Sequence, residues 1–338
     1  MFKKKKLIFR VDVSNRIGTG HIVRCLELAK IFKKYFKIII LTKTKDIYLW
    51  NLKSFRVLFY PKRLIKNFYL RHQGNLNYVF LFDLNKKFIS KMEQKLISKI
   101  ENRKAIFAEN NFLQNKNNLF IAPYQLKKKF FHSKKNVLLG PKFCIFKKEL
   151  IKTAKMKKNP KKIISVCMGG SDPKNLTLKV VLHLLKINNF EDYKFIFIVG
   201  KLYKKRNFFL LKKICQKKNN FKIVRDPKNI YKIFFQSKIA IINSGNLKYE
   251  LSALKVPFIL LSNEKKSHFY NQLFAKKFYC FFNTNINDQI KNIEPILKKT
   301  FKSKKILPNF TKNNFHKVDL NSKFVLVKKV TKFYNEKK

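Results

Sequence analysis

Negative charge is what this chain has least of: its 338 residues carry 18 Asp and Glu against 78 Lys and Arg, a formal net charge of +60. Carboxylates this sparse form no cluster able to carry magnesium, and no metal or other cofactor is expected. Cysteine is scarce too. Cys25, Cys144, Cys167, Cys215 and Cys280 are odd in number and scattered, with no Cys-x-x-Cys and no zinc-like pairing with histidine. That excludes a disulfide framework and a zinc ribbon and leaves reduced, mostly buried thiols. No apolar run approaches the roughly 20 residues of a membrane-spanning helix. The opening Met1-Phe2-Lys3-Lys4-Lys5-Lys6 imitates the basic end of a signal peptide. Arg10 and Asp12 interrupt the apolar stretch behind it, and no small-residue cleavage site follows. A cytoplasmic location is therefore expected.

Arginine is the missing half of the basic excess, with only nine of the 78 basic residues. Lys, Asn, Ile and Phe are inflated together along the whole length while Gly is scarce, the signature of an AT-rich coding sequence. A nucleic-acid site would concentrate Arg on one element, so no specific nucleic-acid function is expected. The charge still favours adventitious contact with RNA or acidic polymers, and weak peripheral association with anionic lipid. A non-catalytic charge-binder of that kind would lose its affinity with salt and ignore small ligands. At 46% hydrophobic residues the chain has enough apolar surface for a large core, and its length suits two domains.

The most informative stretch runs from Phe9 to Ala29. Leu7, Phe9, Val11 and Val13 alternate with Ile8, Arg10 and Asp12 as a strand. The chain turns through Gly18 and Gly20 and continues as a helix with Ile22, Cys25, Leu26 and Ala29 at helical spacing. His21 thus sits on the first helical turn at the mouth of a strand–loop–helix unit, where open α/β sheets bind ligands. The positive end of the helix dipole favours the neutral imidazole that a general base needs. Asp12 either orients His21 or caps the loop; both readings put it near the site.

Strand-like and helix-like segments alternate through residues 1–150: Phe36–Thr42 and Asn77–Asp83 as buried strands, Phe88–Ile100 as a helix, Lys104–Ala108 as a strand. Residues 146–160, charged and ending before a strand at a Pro, read as a linker. A second series fills 151–338. Its strands are predicted at Lys162–Met168, Phe195–Val199, Lys222–Val224, Ile239–Ile242 and Phe258–Leu261, with helices at Leu176–Leu185 and Phe324–Phe333. The pattern predicts an α/β protein of two parallel, doubly wound, Rossmann-like domains with a cleft between them.

Two more strand–loop–helix units stand in the second half. Met168-Gly169-Gly170-Ser171-Asp172-Pro173-Lys174-Asn175-Leu176-Thr177 places two glycines before a helix. Glycines let backbone N–H groups approach a phosphate, and the dipole assists. The plain alternative is a tight turn with Asp172 or Asn175 as helix cap. Asn243-Ser244-Gly245-Asn246-Leu247-Lys248-Tyr249-Glu250 repeats the arrangement. Glu250 is either a hydroxyl-binding carboxylate or a solvated helix-face charge.

The first stretch resembles the amino-terminal signature of the bacterial UDP-2,4-diacetamido-2,4,6-trideoxy-β-L-altropyranose hydrolases of pseudaminic acid biosynthesis. Those are relatives of the glycosyltransferase that makes lipid II. Arg10, Asp12, Ser14, Ile17, Gly18, Gly20, His21 and Arg24 match, eight of fifteen positions. The resemblance extends over roughly residues 5–335 and includes Gly169-Gly170-Ser171-Asp172 with Asn175-Leu176-Thr177. It also covers Gly140-Pro141-Lys142 at the domain junction, where Glu149 is read as ordering the hinge. The resemblance implies the GT-B fold and a UDP-linked sugar as substrate. It implies His21 as the catalytic base for inverting hydrolysis of the bond between the anomeric carbon and UDP. Around it, Asp12, Gly18, Gly20 and Arg24 are implied as substrate-binding residues. Gly169, Gly170, Ser171, Asp172, Asn175, Ser244, Gly245, Asn246 and Glu250 are implied to hold the nucleotide, Glu250 through the ribose hydroxyls. The alternative is an inverting GT-B glycosyltransferase with the same donor site, which His21 serves equally. With a lipid acceptor it would expose an apolar patch on the first domain.

Some positions depart from that family. An Asp-Asp pair is replaced by Ala108-Glu109, and an Asp-His/Ser-Tyr by Asp83-Leu84-Asn85. The sugar-contacting Asn-Gln, counted from Ala275, falls on Lys266-Ser267, and the closing glycine motif is reduced to Asp319-Leu320-Asn321-Ser322. Of the other histidines, His183 is expected to be structural. His268 is a candidate ligand contact, and His72, His132 and His316 lack a motif.

Overall fold

The computed structural model describes residues 4–61, 64–107, 118–124, 136–303 and 317–336, with 308, 310 and 314. Ala108-Glu109, His132 and His316 lie outside the described residues. The chain forms two compact units. Met1–Ile145 joins Asn321–Lys338 in the first, and Phe146–Leu320 makes the second.

The first unit is a seven-stranded sheet in the order β3-β2-β1-β4-β5-β6-β7. Its strands are β1 (Lys6–Val11), β2 (Lys37–Thr42), β3 (Arg56–Phe59), β4 (Tyr78–Asp83), β5 (Lys104–Phe107), β6 (Leu119–Ala122) and β7 (Val137–Leu139). Every pairing is parallel. Helices α1 (Gly20–Phe32), α2 (Ile65–His72) and α3 (Lys91–Lys99) connect the strands. Runs such as Ile38–Leu41 and Val79–Phe82 are apolar on both faces because helices cover both sides of a parallel sheet. Strand β3 has no counterpart in the sequence reading. It is a four-residue edge strand, only half-buried, whose apolar run Val57-Leu58-Phe59 is short.

The second unit is a six-stranded parallel sheet, β10-β9-β8-β11-β12-β13. The strands are β8 (Lys161–Cys167), β9 (Lys194–Val199), β10 (Phe221–Arg225), β11 (Ser237–Ile242), β12 (Phe258–Leu260) and β13 (Phe281–Phe282). Its helices are α4 (Lys148–Ala154), α5 (Leu176–Leu185), α6 (Lys205–Cys215), α7 (Ile230–Gln236), α8 (Leu247–Ala253), α9 (Lys265–Ala275) and α10 (Ile293–Lys302). The stretch read as a linker therefore contains α4, which buries Leu150 and Thr153.

In both units the connections run outward on one side of the first strand and then return to its other side. The chain order reverses between β1 and β4, and again between β8 and β11. At such switch points the two adjacent loops diverge and leave a crevice beyond the strand ends. Val11 pairs with Asp83 at the first and Cys167 with Ile242 at the second.

The final helix, α11 (Ser322–Asn335), corrects the expected second domain of 151–338, because it belongs to the first unit. Its apolar face buries Leu326, Val327, Val330 and Tyr334. The Tyr334 hydroxyl donates to the Phe80 carbonyl at 2.6 Å, and its ring meets Phe36 edge-on at 5.8 Å. Ser322 Oγ donates to the Cys144 carbonyl at 2.5 Å, and Lys323 reaches Glu27 at 3.4 Å. Nothing in an amphipathic helix states which of two sheets it will cover. Tyr334→Phe is expected to lose about 1 kcal/mol of unfolding free energy and Tyr334→Ala about 3–5 kcal/mol in urea titrations. Wild-type midpoints for both would show that α11 does not brace the first sheet.

Candidate active site

After β1 the chain closes a tight turn: Gly18 N donates to Ser14 O at 2.8 Å, and Ile17 N to Ser14 Oγ at 3.1 Å. Gly18 has φ near +92°, a conformation that costs a residue with a Cβ. The turn delivers Gly20 and His21 to the start of α1, with His21 buried. Asp83, at the end of the neighbouring strand β4, meets it. His21 Nδ1 lies 2.6 Å from Asp83 Oδ1. Arg24 Nη2 also lies 3.0 Å from Nδ1. An ionised carboxylate only accepts, so the tautomer that makes the shorter Asp83 bond carries its hydrogen on Nδ1 and its lone pair on Nε2.

Asp83 is completely buried, and burial pushes its carboxyl up. The Arg24 guanidinium, His21 and their hydrogen bonds outweigh this and hold it well below the usual carboxylate range. Arg24, one turn beyond His21, donates Nε to Asp83 Oδ2 and Nη2 to Oδ1. Its guanidinium lies over the Phe107 and Tyr124 rings, 4.8 and 5.5 Å from their centroids. Arg24 is thus tied to Asp83 and to two aromatic rings inside the first unit. Cys25 Sγ approaches Asp83 Oδ2 at 3.5 Å, and burial raises its thiol far above the range of a nucleophile.

Asp12 does not orient His21. Arg10 grips it with two 2.7 Å hydrogen bonds, and it also accepts from Lys43 N at 2.8 Å and Thr42 Oγ1 at 3.2 Å. Arg10 continues to Glu93 at 3.0 Å, which also receives the Tyr69 hydroxyl at 3.0 Å and Lys43 Nζ. This buried network ties the carboxyl ends of β1 and β2 to α2 and α3. Asp83 is the residue that the sequence reading missed as His21's partner. Its local signals were a carboxylate ending an apolar strand in a chain poor in acids, and the retained Asp of Asp83-Leu84-Asn85.

In the second unit Gly169 has φ near +98°, and the loop passes so close to β9 that a Cβ on Gly200 would sit 2.4 Å from Gly170 O. Asp172 accepts from Leu176 N at 2.8 Å and Thr177 N at 2.7 Å, and Asn175 Oδ1 accepts the Tyr203 hydroxyl. Both side chains are therefore used inside the protein. The Asp172 carboxylate also occupies the positive end of α5, so the expected dipole assistance to a phosphate is largely cancelled. The loop's remaining anion-binding potential rests on Gly169, Gly170 and Ser171.

Beyond β11, Ser244 N donates to Asn243 Oδ1 at 2.7 Å, Gly245 takes φ near +122°, and Asn246 opens α8. Asn271 is the hub of this loop. Its Nδ2 donates to Ser244 Oγ at 2.8 Å, Ser262 Oγ at 2.9 Å and Leu261 O at 3.0 Å, and its Oδ1 accepts from Lys248 Nζ at 3.1 Å. Asn271-Gln272 is an Asn-Gln pair on α9, with Asn271 buried and Gln272 exposed. Lys266-Ser267, the positions found by counting from Ala275, begin that helix, and Ser267 caps it against Glu264. The dipeptide itself was the overlooked signal. Glu250 is buried rather than solvated. Burial raises its carboxyl, against the opposing effects of Lys147 and the Tyr231 hydroxyl, which lies 3.3 Å away. His268 is half-buried, with Nε2 2.7 Å from Thr284 O and Nδ1 3.3 Å from Ser262 Oγ. Among the described residues no group of three His, Cys, Asp or Glu side chains could hold a metal ion. Among them, too, no helix is long and apolar enough to cross a membrane.

No family model matches the chain. It is 26% identical over 293 residues to an uncharacterized protein of Methanocaldococcus jannaschii, covering 80% of this chain and 58% of that protein. It is 28% identical over 143 residues to the UDP-2,4-diacetamido-2,4,6-trideoxy-beta-L-altropyranose hydrolase of Campylobacter jejuni, 42% of this chain and 50% of that one. The spore coat polysaccharide biosynthesis protein SpsG of Bacillus subtilis matches at 27% over 107 residues, 32% of this chain and 31% of that one. The matches thus span about half the length of these curated relatives, or less. Among solved structures, Acinetobacter baumannii MurG superposes with a TM-score of 0.63 at 12% identity, over 97% of this chain and 99% of that one. Anabaena HepE in complex with UDP gives 0.65 at 11% identity, over 97% and 100%. The two parallel-sheet α/β domains are those of the GT-B glycosyltransferase fold.

Gly200→Ala is expected to cost about 1–3 kcal/mol, because the new methyl must displace backbone of the Gly169-Gly170 loop. Urea unfolding measures it; an unshifted midpoint would mean that the loop does not pack against β9 as described.

Proposed function

We propose that this protein transfers a sugar from a UDP-linked donor to an acceptor hydroxyl, with inversion at the anomeric carbon. The observation that carries the proposal is the hydrogen bond from His21 Nδ1 to the ionised Asp83, which leaves Nε2 as a fixed base at the first switch point. The acceptor oxygen bonds to C1 while its proton passes to Nε2. The bond from C1 to the UDP oxygen breaks, and UDP leaves with the electron pair. The amides of Gly169–Ser171 and Ser244–Asn246 meet the charge that develops on the diphosphate, and Glu250 receives the ribose hydroxyls. Positioned general-base catalysis of this kind supplies about 10²–10⁴-fold in rate.

Transfer is favoured over hydrolysis by the GT-B neighbours and by the surface of the first unit. Tyr48, Leu49, Phe88 and Met92 are exposed on the segments that follow β2 and β4, which the Lys43–Glu93 ion pair holds together. Exposed apolar side chains there suit an acceptor with an apolar portion. The partial match to the Campylobacter hydrolase supports a second reading, in which water replaces the acceptor.

His21→Ala is expected to lower turnover by about 10²–10⁴-fold while leaving the UDP affinity nearly unchanged. Glu250→Ala is expected to weaken UDP binding by about 1–3 kcal/mol, read by calorimetry. Equal losses of turnover and UDP affinity in His21→Ala would remove the base role. Without acceptor, phosphorus NMR is expected to show little UDP release from a panel of UDP-linked sugars. Fast release would select the hydrolytic reading.

A further inference from the structure

His21 and Asp83 form half of a larger buried assembly. Asp83 accepts from His21 Nδ1 on Oδ1 and from Arg24 on both oxygens, with Cys25 Sγ 3.5 Å from Oδ2. A bare carboxylate beside an imidazole does two things at once. It orients the ring, and it stabilises the protonated ring, which removes the base at neutral pH. For a group that must accept a proton during turnover, the second effect is a handicap.

The assembly separates the two effects. The guanidinium contributes one full positive charge against the carboxylate and sits nearer to it than any solvent cation could. Its own position is fixed by Phe107 and Tyr124. With the ring neutral, Asp83 and Arg24 sum to zero charge. Other charged groups of the neighbouring described elements include Arg16 in the turn before α1, Lys87 after β4 and Lys104 on β5, and Arg10 and Asp12 on and after β1, Lys43 after β2 and Glu93 on α3. The last four close on one another, Arg10 with Asp12 and Lys43 with Glu93. On α1 itself, Glu27 is bonded to Lys30 and Lys323.

We propose that Arg24 is a positioning residue that balances the charge of Asp83, so that Asp83 orients His21 without driving it into its protonated form. The inference rests on the reading of His21 as the base. Arg24 acts through Asp83 and on the ring beside it, its Nη2 lying 3.0 Å from His21 Nδ1, and not by touching the sugar.

The test is an NMR titration of the His21 ring nitrogens in the full-length protein, beside the pH dependence of kcat, for wild type, Arg24→Met and Arg24→Lys. In Arg24→Met the His21 titration is expected to move to higher pH by about one unit or more. The acidic limb of kcat should follow it, with activity partly recovered at high pH. Arg24→Lys keeps the charge and loses the two-point grip, so its shift should be smaller in the same direction. If Arg24→Met does not fold, Arg24→Gln, read beside Arg24→Lys, carries the same comparison. Activity lost at every pH with the His21 titration unmoved would overturn the proposal and leave Arg24 a structural or ligand-contacting residue. The two readings fail separately. Should His21→Ala turn over normally while Arg24→Met still shifts the His21 titration, the base role falls and the charge balance stands.

Discussion

A single carboxylate, Asp83, with no exposed surface on its side chain, is the constraint around which the first unit is arranged. Removing such a group from water costs several kcal/mol unless hydrogen bonds and counter-charge compensate. Compensation comes from one turn of α1, where His21 and Arg24, three residues apart, point the same way. That demands a helix starting close to the end of β1, which in turn demands the turn through Gly18. It also demands that β4 lie directly beside β1. Sheet order, glycine turn and helix register are thus linked through one buried charge.

The second unit applies the same topology to a different task. Its switch point is lined by glycine and serine loops, Gly169 and Gly170 on one and Ser244 and Gly245 on the other, with the Asp172 carboxylate turned to the helix behind. Only eight glycines occur in the chain, and Gly200 is spent on letting the Gly169-Gly170 loop lie against β9. Asp172 secures α5 at the cost of its dipole, so whatever anion binds there must rely on loop amides. Asn271 braces the other loop from below.

The parallel α/β architecture was legible because buried strands of such sheets are continuous apolar runs, as at Ile38–Leu41. His21 was legible because its loop is local: strand, glycines and helix lie within about twenty consecutive residues. Asp83 was not, since 62 residues separate it from His21 and only the sheet order brings them together. Asp12 looked the better partner by proximity in sequence, but Arg10, two residues before it, claims its carboxylate. The same lesson applies to α11, whose apolar face fits either sheet by pattern, and to Asn175, whose side-chain bond to Tyr203, 28 residues away, no local pattern shows. Long-range choices of partner are made by packing, and a local pattern does not encode them.

The central claim is a single displacement at the anomeric carbon, assisted by the oriented imidazole. The most direct test is proton NMR of the anomeric signal during turnover of a UDP-linked sugar, recorded before the product equilibrates. The first product is expected to have the anomeric configuration opposite to that of the donor. A first product of retained configuration would require a different reaction course and would contradict the role assigned to His21.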